Sequence, residues 1–507
     1  MLKTIAMYLP QFHRVKENDE WWGEGFTEWT AVQSAKPQYD GHNQPVRPLN
    51  DEYYDLMDKR TLEWQVELAH KYKIDGFAFY HYFFKNGRKI LEKPAENLLK
   101  WKDINMPFLF AWDPVQWARS WTNVGNSWAE TFEDKQYIKN GVLLEQDFGG
   151  SEVWEEHFQY LLPFFKDDRY IKVDNKPVFY CLIPNYIPCF MRMISHWRAR
   201  ATEEGLSGLY IISYQDYSEV ADAYLDPMRP EKNEIITNAK YNNLRAYDYD
   251  KAWKEYLSCP QIRGVENLYQ CIVKYDDTPR RGQNAMIFVD ASPEKFKKYL
   301  AALRYKSMLN HNKFMFINAW NEWGEGMYLE PDTKDKYMYL EAVHEVLCLT
   351  PNELYEYVKK TNLLDYVKKG MVYQENFIEH DRERNKYFLM HNWLSAKLHD
   401  EAIRKYLENN AYKNVAIYGF GVYGHMLYEE LIKDGVNIPF VIDRKLCKST
   451  SKEKLKILGI DKQLPRCDLI IISTIFDNIE IYEQLKKITS DEIISMQELC
   501  KYALENI

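Results

Sequence analysis

Over about the first 350 residues of this 507-residue chain, short apolar runs alternate with amphipathic stretches. Eight runs read as strands: 3–10, 75–83, 107–113, 177–183, 208–215, 233–241, 268–276 and 313–320. Several are apolar on both faces, as strands covered on both sides must be. Segments with helical spacing lie between most of them, at 60–73, 89–101, 151–166, 190–204, 249–257 and 293–309. Strand followed by helix eight times predicts an α/β fold, the (β/α)8 TIM barrel. The run 285–290 (AMIFVD) competes for the seventh place.

Polar and aromatic residues gather where these runs end. Tyr8 leads into Gln11 and His13, Phe79 into Tyr80, His81 and Tyr82, Trp112 into Asp113, and Trp320 into Asn321. In such a barrel the carboxyl ends of the strands carry the chemistry. Aromatics are 15% of the residues, with 15 Trp. Indole beside Asn, Asp and Glu at strand ends suits sugar, whose C–H faces stack on aromatic rings.

The strongest constellation follows the eighth run: Asn321-Glu322-Trp323-Gly324-Glu325-Gly326, then Glu330-Pro331. Two carboxylates in a glycine-containing loop can divide acid and base work at a glycosidic bond. Apolar walls such as Trp320 and Trp323 would raise one carboxyl pKa by desolvation. The plainer alternative is a helix start with Glu near the dipole.

The segment Phe316 to Pro331 resembles the W-N-E-W-x-E-G-x-x-x-E-P signature of the WbsX-type family of polysaccharide gene clusters, related to glycoside hydrolase family 99, the endo-α-mannosidases. Three further blocks resemble it: Tyr8 to His13 with Trp21-Trp22-Gly-Glu24-Gly-Phe26-Thr-Glu28-Trp29, Asp75 to Tyr82, and Tyr275-Asp276-Asp277-Thr278-Pro279-Arg280. The resemblance implies a retaining reaction through the sugar's own 2-hydroxyl, with Glu322 as its base and Glu325 as acid, then base. Candidate sugar contacts at the strand ends and in these blocks are Tyr8, Gln11, His13, Trp22, Glu28, Trp29, Tyr80, His81, Tyr82, Trp112, Asp113, Trp117, Arg119, Asp276, Arg280, Trp320, Asn321, Trp323 and Glu330; the plainer readings are core histidines, an Asp276–Arg280 ion pair, and an aromatic plug made by the tryptophans of 21–29. In the block Ala111–Trp121 this chain departs from the family pattern: Pro114-Val115 stand where an Asn-Glu pair is usual.

Residues 350–412 read as a helical connector after a catalytic barrel over 1–349. From 413 to 507 the pattern is a small β-α-β-α-β domain, Rossmann-like. Its Gly419, Gly421 and Gly424 follow a strand and open a helix, with Asp443 at the next strand end. This matches the local fingerprint of a nucleotide or nucleotide-sugar site, whereas only half of a dinucleotide fold fits in the length available. A packing or oligomerisation role, as in a homo-oligomer, is the other reading of the same fold.

Lys+Arg 66 against Asp+Glu 75 gives a net charge of −9, which supplies no global field for nucleic acid. No run reaches 18 apolar residues, and the amino terminus lacks the pattern of a signal peptide, so a cytoplasmic protein without a membrane span is expected. The eight cysteines form no C-x-x-C pair, and no metal-binding spacing or cofactor is expected. The partner expected is an oligosaccharide or polysaccharide. Hydrolysis of an α-linked, mannose-like glycan is the first expectation. A glycosyltransferase or transglycosidase of O-antigen or capsule synthesis, or a glycan-binding barrel without turnover, are the alternatives.

Overall fold

The computed structural model of the protein describes residues 2–118, 142–214, 218–225, 228, 235–236, 238–241, 244–262, 264–373, 377–398, 402–444, 455–460, 463–474 and 478–505. They form two compact units, Met1–Ile187 with Met193–Gln374, and Pro188–Arg192 with Glu375–Ile507. The stretch expected as a connector is thereby shared between the two.

Eight parallel strands close the first unit into a barrel: β1 Lys3–Tyr8, β2 Gly76–His81, β3 Phe108–Trp112, β4 Lys176–Cys181, β5 Tyr210–Tyr214, β6 Ala223–Leu225, β7 Glu266–Ile272 and β8 Phe314–Asn318. β8 pairs with β1, which completes the ring. Two sequence expectations are corrected. The sixth strand is the three-residue β6, too short to stand out as an apolar run, and not 233–241. Of that stretch, Ile235 makes a single bridge to Tyr247, and Ala239–Tyr241 is a short 3-10 turn. The run 285–290 is a strand, Met286–Val289, but it pairs with Arg245–Asp248 outside the ring.

Strand registers sort the side chains. Ile5 pairs with Phe316, Met7 with Ala78, Ala78 with Leu109, Tyr80 with Ala111, and Ala111 with Tyr180. These residues share the inner face. Phe316 of β8 meets Tyr180 of β4 across the barrel, ring centres 5.3 Å apart. The alternate residues Phe77, Phe79, Phe108, Phe110, Trp112 and Phe179 face the outer helices. Phe110 packs on Phe164 of the helix Ser151–Lys166, and Phe179 on Trp197 of Phe190–Glu203. Large rings on the outer face and smaller residues inside (Gly76, Ala78, Ala111, Ala223) let the ring close around Phe316 and Tyr180.

The second unit contains five parallel strands: β9 Val415–Tyr418, β10 Val441–Ile442, β11 Ile457–Leu458, β12 Leu469–Ile472 and β13 Glu492–Ser495. Their order in the sheet is β11-β10-β9-β12-β13. Val415, Ile417, Leu469 and Ile471 enter one core, and Ala416, Tyr418, Ile470 and Ile472 the other, so the sheet is buried on both faces.

Phe316 is fully buried in the barrel interior. Phe316→Ala is expected to lower unfolding stability by about 3–5 kcal/mol. A urea titration following the near-ultraviolet signal checks this. An unchanged midpoint would mean that the interior is not packed around this ring.

Candidate active site

The pleat decides which strand-end residues reach the barrel mouth. Tyr80, Asp113 and Tyr214 continue the inner face of β2, β3 and β5 and lie half-buried there. Their neighbours point at the helices. The Tyr8 hydroxyl donates to Gln65 Oε1 at 2.7 Å, His81 Nε2 meets His157 Nε2 at 2.8 Å, and Trp112 packs on His157 and Trp197. Burial pushes the His81 pKa down to about 3, with Lys89 adding to it. Tyr8, His81 and Trp112 therefore build the wall behind the site rather than its surface.

After β8 the chain forms a tight loop. Asn321–Glu322 pair antiparallel with Met327–Tyr328, and Trp323–Glu325 make one 3-10 turn between them. Gly326 closes this turn at φ +65°, where a Cβ would stand 3.0 Å from the Asp276 amide nitrogen. Asn321 docks the loop on β1, accepting from Leu9 N at 2.7 Å and donating to Leu9 O at 3.0 Å. Trp323 stacks on Tyr328 at 3.8 Å. Its indole N–H donates to Glu330 Oε2 at 2.7 Å, Tyr54 donates to the same oxygen at 2.8 Å, and Gln65 donates to Oε1 at 2.7 Å. Trp29 donates to Tyr54 O and packs on Phe12 and Trp323. Trp320, Asn321, Trp323, Trp29 and Glu330 are thus buried beneath the loop.

Glu322 and Glu325 lie above this floor. Their side chains are 7% and 26% exposed. Arg280, from the turn Thr278–Arg281 after β7, reaches both: Nη2 is 2.8 Å from Glu322 Oε1 and Nη1 2.6 Å from Glu325 Oε1. Its Nε donates to Glu28 Oε1 at 2.7 Å. Burial lifts the Glu322 carboxyl well above the ordinary carboxylate range, Arg280 pulls it down, and the charges of Glu325 and Glu28 add to the rise.

Around the pair, Tyr80 and Tyr82 stack at 6.4 Å, and Trp117 stands edge-on to Tyr82 at 5.1 Å. Gln11 is hydrogen-bonded to the Tyr82 hydroxyl. Burial raises Asp113 to about 6, opposed by its bond from the Val115 amide. Trp22 joins a buried cluster with Trp21, Phe26 and Tyr82. His13 is buried, and burial lowers its pKa. Asp276 makes no ion pair with Arg280. It accepts from His42, Gln44 and Thr278, and these donors hold its carboxyl below the ordinary range against burial, which acts the other way. Arg119 lies outside the described residues. Sequence reasoning passed over Tyr214, His42 and Gln44. The inner-face parity of β5 signals Tyr214, but nothing local marks the other two. Among the described residues no group of His, Cys, Asp and Glu is arranged to hold a metal ion.

In the second unit, Gly419 has φ +85°, and a Cβ on Gly424 would stand 2.0 Å from Gly419 O. Asp443 Oδ2 accepts from the Phe420 amide at 2.8 Å, which ties the glycine loop to the end of β10. No helix among the described residues is long and apolar enough to cross a membrane.

A closed parallel barrel presents the carboxyl ends of its strands at one mouth, and here the loop after the last strand places two carboxylates there. The chain belongs to the family described as glycosyltransferase WbsX, whose pattern matches residues 4–343. Two relatives called "Uncharacterized protein WxcX", from two strains of Xanthomonas campestris pv. campestris, are each 28% identical over 362 residues. These cover 69% of this chain and 50% of theirs, so the chain spans about half the length of the curated relatives it matches. Among solved structures, a "Glycoside hydrolase-like protein" has TM-score 0.44 at 14% identity, covering 69% of this chain and 94% of its own. The GH99 endo-alpha-mannosidase from Bacteroides thetaiotaomicron has TM-score 0.39 at 14% identity, covering 73% of this chain and 99% of its own.

Burial raises Glu330 to about 7 from 4.5, with Trp323, Tyr54 and Gln65 opposing. A carboxyl that holds its proton longer in the folded state makes stability fall as pH rises from about 4.5 through about 7. Glu330→Gln should flatten that part of the stability-against-pH curve, measured by denaturant titration at successive pH values. An unchanged slope would show that Glu330 is ionised throughout.

Proposed function

We propose that the protein is a retaining glycan-processing enzyme acting on α-linked, mannose-like linkages of cell-surface polysaccharide, through participation of the sugar 2-hydroxyl. The observation that carries this reading is that Glu322 and Glu325 come from one loop and share one guanidinium. Two carboxylates on one side of a sugar cannot serve as nucleophile and acid on opposite faces. An internal nucleophile removes that demand. Glu322 takes the proton of the 2-hydroxyl as its oxygen bonds to C1. Glu325 gives its proton to the departing oxygen as the C1–O bond breaks, leaving a 1,2-anhydro sugar. Glu325 then takes a proton from water or an acceptor hydroxyl as that oxygen attacks C1, and the 2-oxygen recovers its proton from Glu322. Two inversions at C1 give net retention. The 2-hydroxyl must be trans to the leaving group, as in α-mannosides.

Water as the second nucleophile gives hydrolysis, and a sugar hydroxyl gives transfer. The half-buried rings of Tyr80 and Trp117, with Asp113 and Gln11, form the surface on which a sugar would lie. In the second unit, five parallel strands in the order 3-2-1-4-5 support a Rossmann-like module. We assign it a nucleotide or nucleotide sugar at the loop Gly419–Gly424, with Asp443, and a homo-oligomeric contact as the alternative use of the fold.

Glu322→Gln and Glu325→Gln should each lower turnover of an α-linked manno-oligosaccharide by about 10²–10⁴. Oligosaccharide binding, measured by calorimetry, should survive. Wild-type turnover in either variant removes that residue from the chemistry. For the second unit, a melting-temperature rise with a nucleotide sugar is the expected result, and none with NAD, NADP or nucleotide sugars removes the ligand assignment.

A further inference from the structure

The two carboxylates assigned to the chemistry share their cation with a third. Arg280 is 12% exposed and Glu28 4%. The guanidinium is planar, with donors in a fixed fork, so its three acceptors are held in set directions. A lysine ammonium would fix none of them. Gly324 shows how closely the loop is built around this contact: a Cβ there would fall 2.0 Å from Glu28 Oε1 and 2.8 Å from Arg280 Nε. The loop passes over the Arg280–Glu28 pair only because residue 324 has no side chain.

The charge count is equally constraining. Three carboxylates and one guanidinium carry −2 when all are ionised, and burying that charge is costly. Burial therefore holds the Glu322 carboxyl above the ordinary range, with the charges of Glu325 and Glu28 adding to the rise. The groups facing this cluster are Tyr80 and Tyr82 from the end of β2, and Tyr275 and Asp277 from the segment after β7. The tyrosines stay neutral, since burial raises them all.

We propose that Arg280 and Glu28 are positioning residues rather than sugar contacts: the guanidinium sets the spacing and aim of Glu322 and Glu325, and Glu28 anchors the guanidinium and places a third negative charge beside them. The inference rests on the reading of Glu322 and Glu325 as the reacting pair. Removal of the Glu28 charge takes away one of the influences that raise the Glu322 carboxyl. Shortening Glu28 without removing its charge displaces the fork but keeps that influence.

The test uses the full chain with Glu28→Gln, Glu28→Asp and Arg280→Lys. The carbonyl band that disappears in Glu322→Gln, and so belongs to the Glu322 carboxyl, is followed by infrared titration, and melting temperature monitors folding. The Glu322 midpoint should fall by about one to three pH units in Glu28→Gln. It should stay within about half a unit in Glu28→Asp, the charge being unchanged. On an α-linked manno-oligosaccharide, Glu28→Asp and Arg280→Lys should lose about 10²-fold in kcat with KM within about threefold, as expected of displaced reacting groups. A midpoint unmoved in Glu28→Gln, or a raised KM at constant kcat, overturns the proposal. If the wild type turns over no such oligosaccharide, the functional reading fails, and the infrared titration still decides the role of Glu28.

Discussion

A strand in a closed parallel barrel offers its residues alternately to the interior and to the helices, and this alternation governs the mouth of the barrel. At the end of β2 it separates Tyr80 from His81, and at the end of β3 it separates Trp112 from Asp113. The residues sent outward are large and aromatic, and they weld the strands to the helix layer. His81 meets His157, and Trp112 meets Trp197. Those sent inward are half-buried and polar at one end. The same period-two rule that builds the core therefore also selects which side chains a ligand can touch.

A second constraint acts on the loop after β8. This loop carries the paired carboxylates Glu322 and Glu325, and its support comes from below. Glu330 collects three donors from Trp323, Tyr54 and Gln65, and Asn321 bonds both polar groups of the Leu9 backbone. A buried carboxylate is tolerable only when its oxygens are satisfied. Glu330 meets that condition with donors from the loop itself, the 49–58 segment and the helix Lys59–Lys71, so its burial joins three separate parts of the chain. Glu330, the third acidic residue of the same motif, is in this arrangement a fastener.

Much of the architecture was legible in the residues. Seven of the eight barrel strands coincide with apolar runs, because a strand covered on both faces must be apolar throughout. The strand Ala223–Leu225 escaped because three residues carry no periodicity. Met286–Val289 competes with Glu266–Ile272 in the sequence because an apolar strand packed beside the barrel reads the same as one inside it. The motif residues of the loop were legible as a group, but their division into floor and surface was not. Trp320, Asn321, Trp323 and Glu330 look alike in sequence to Glu322 and Glu325, and only tertiary packing separates them. The bond between Glu28 and Arg280 spans more than half the barrel sequence, and no local pattern announces such a pair.

The central claim is that a paired-carboxylate loop works with the sugar's own 2-hydroxyl and no opposed nucleophile. Proton NMR of the first-formed product from an α-linked manno-oligosaccharide tests it most directly. An α-configured anomeric centre is expected before mutarotation. A β-configured first product would require water to attack opposite the leaving group in one step, and would contradict it.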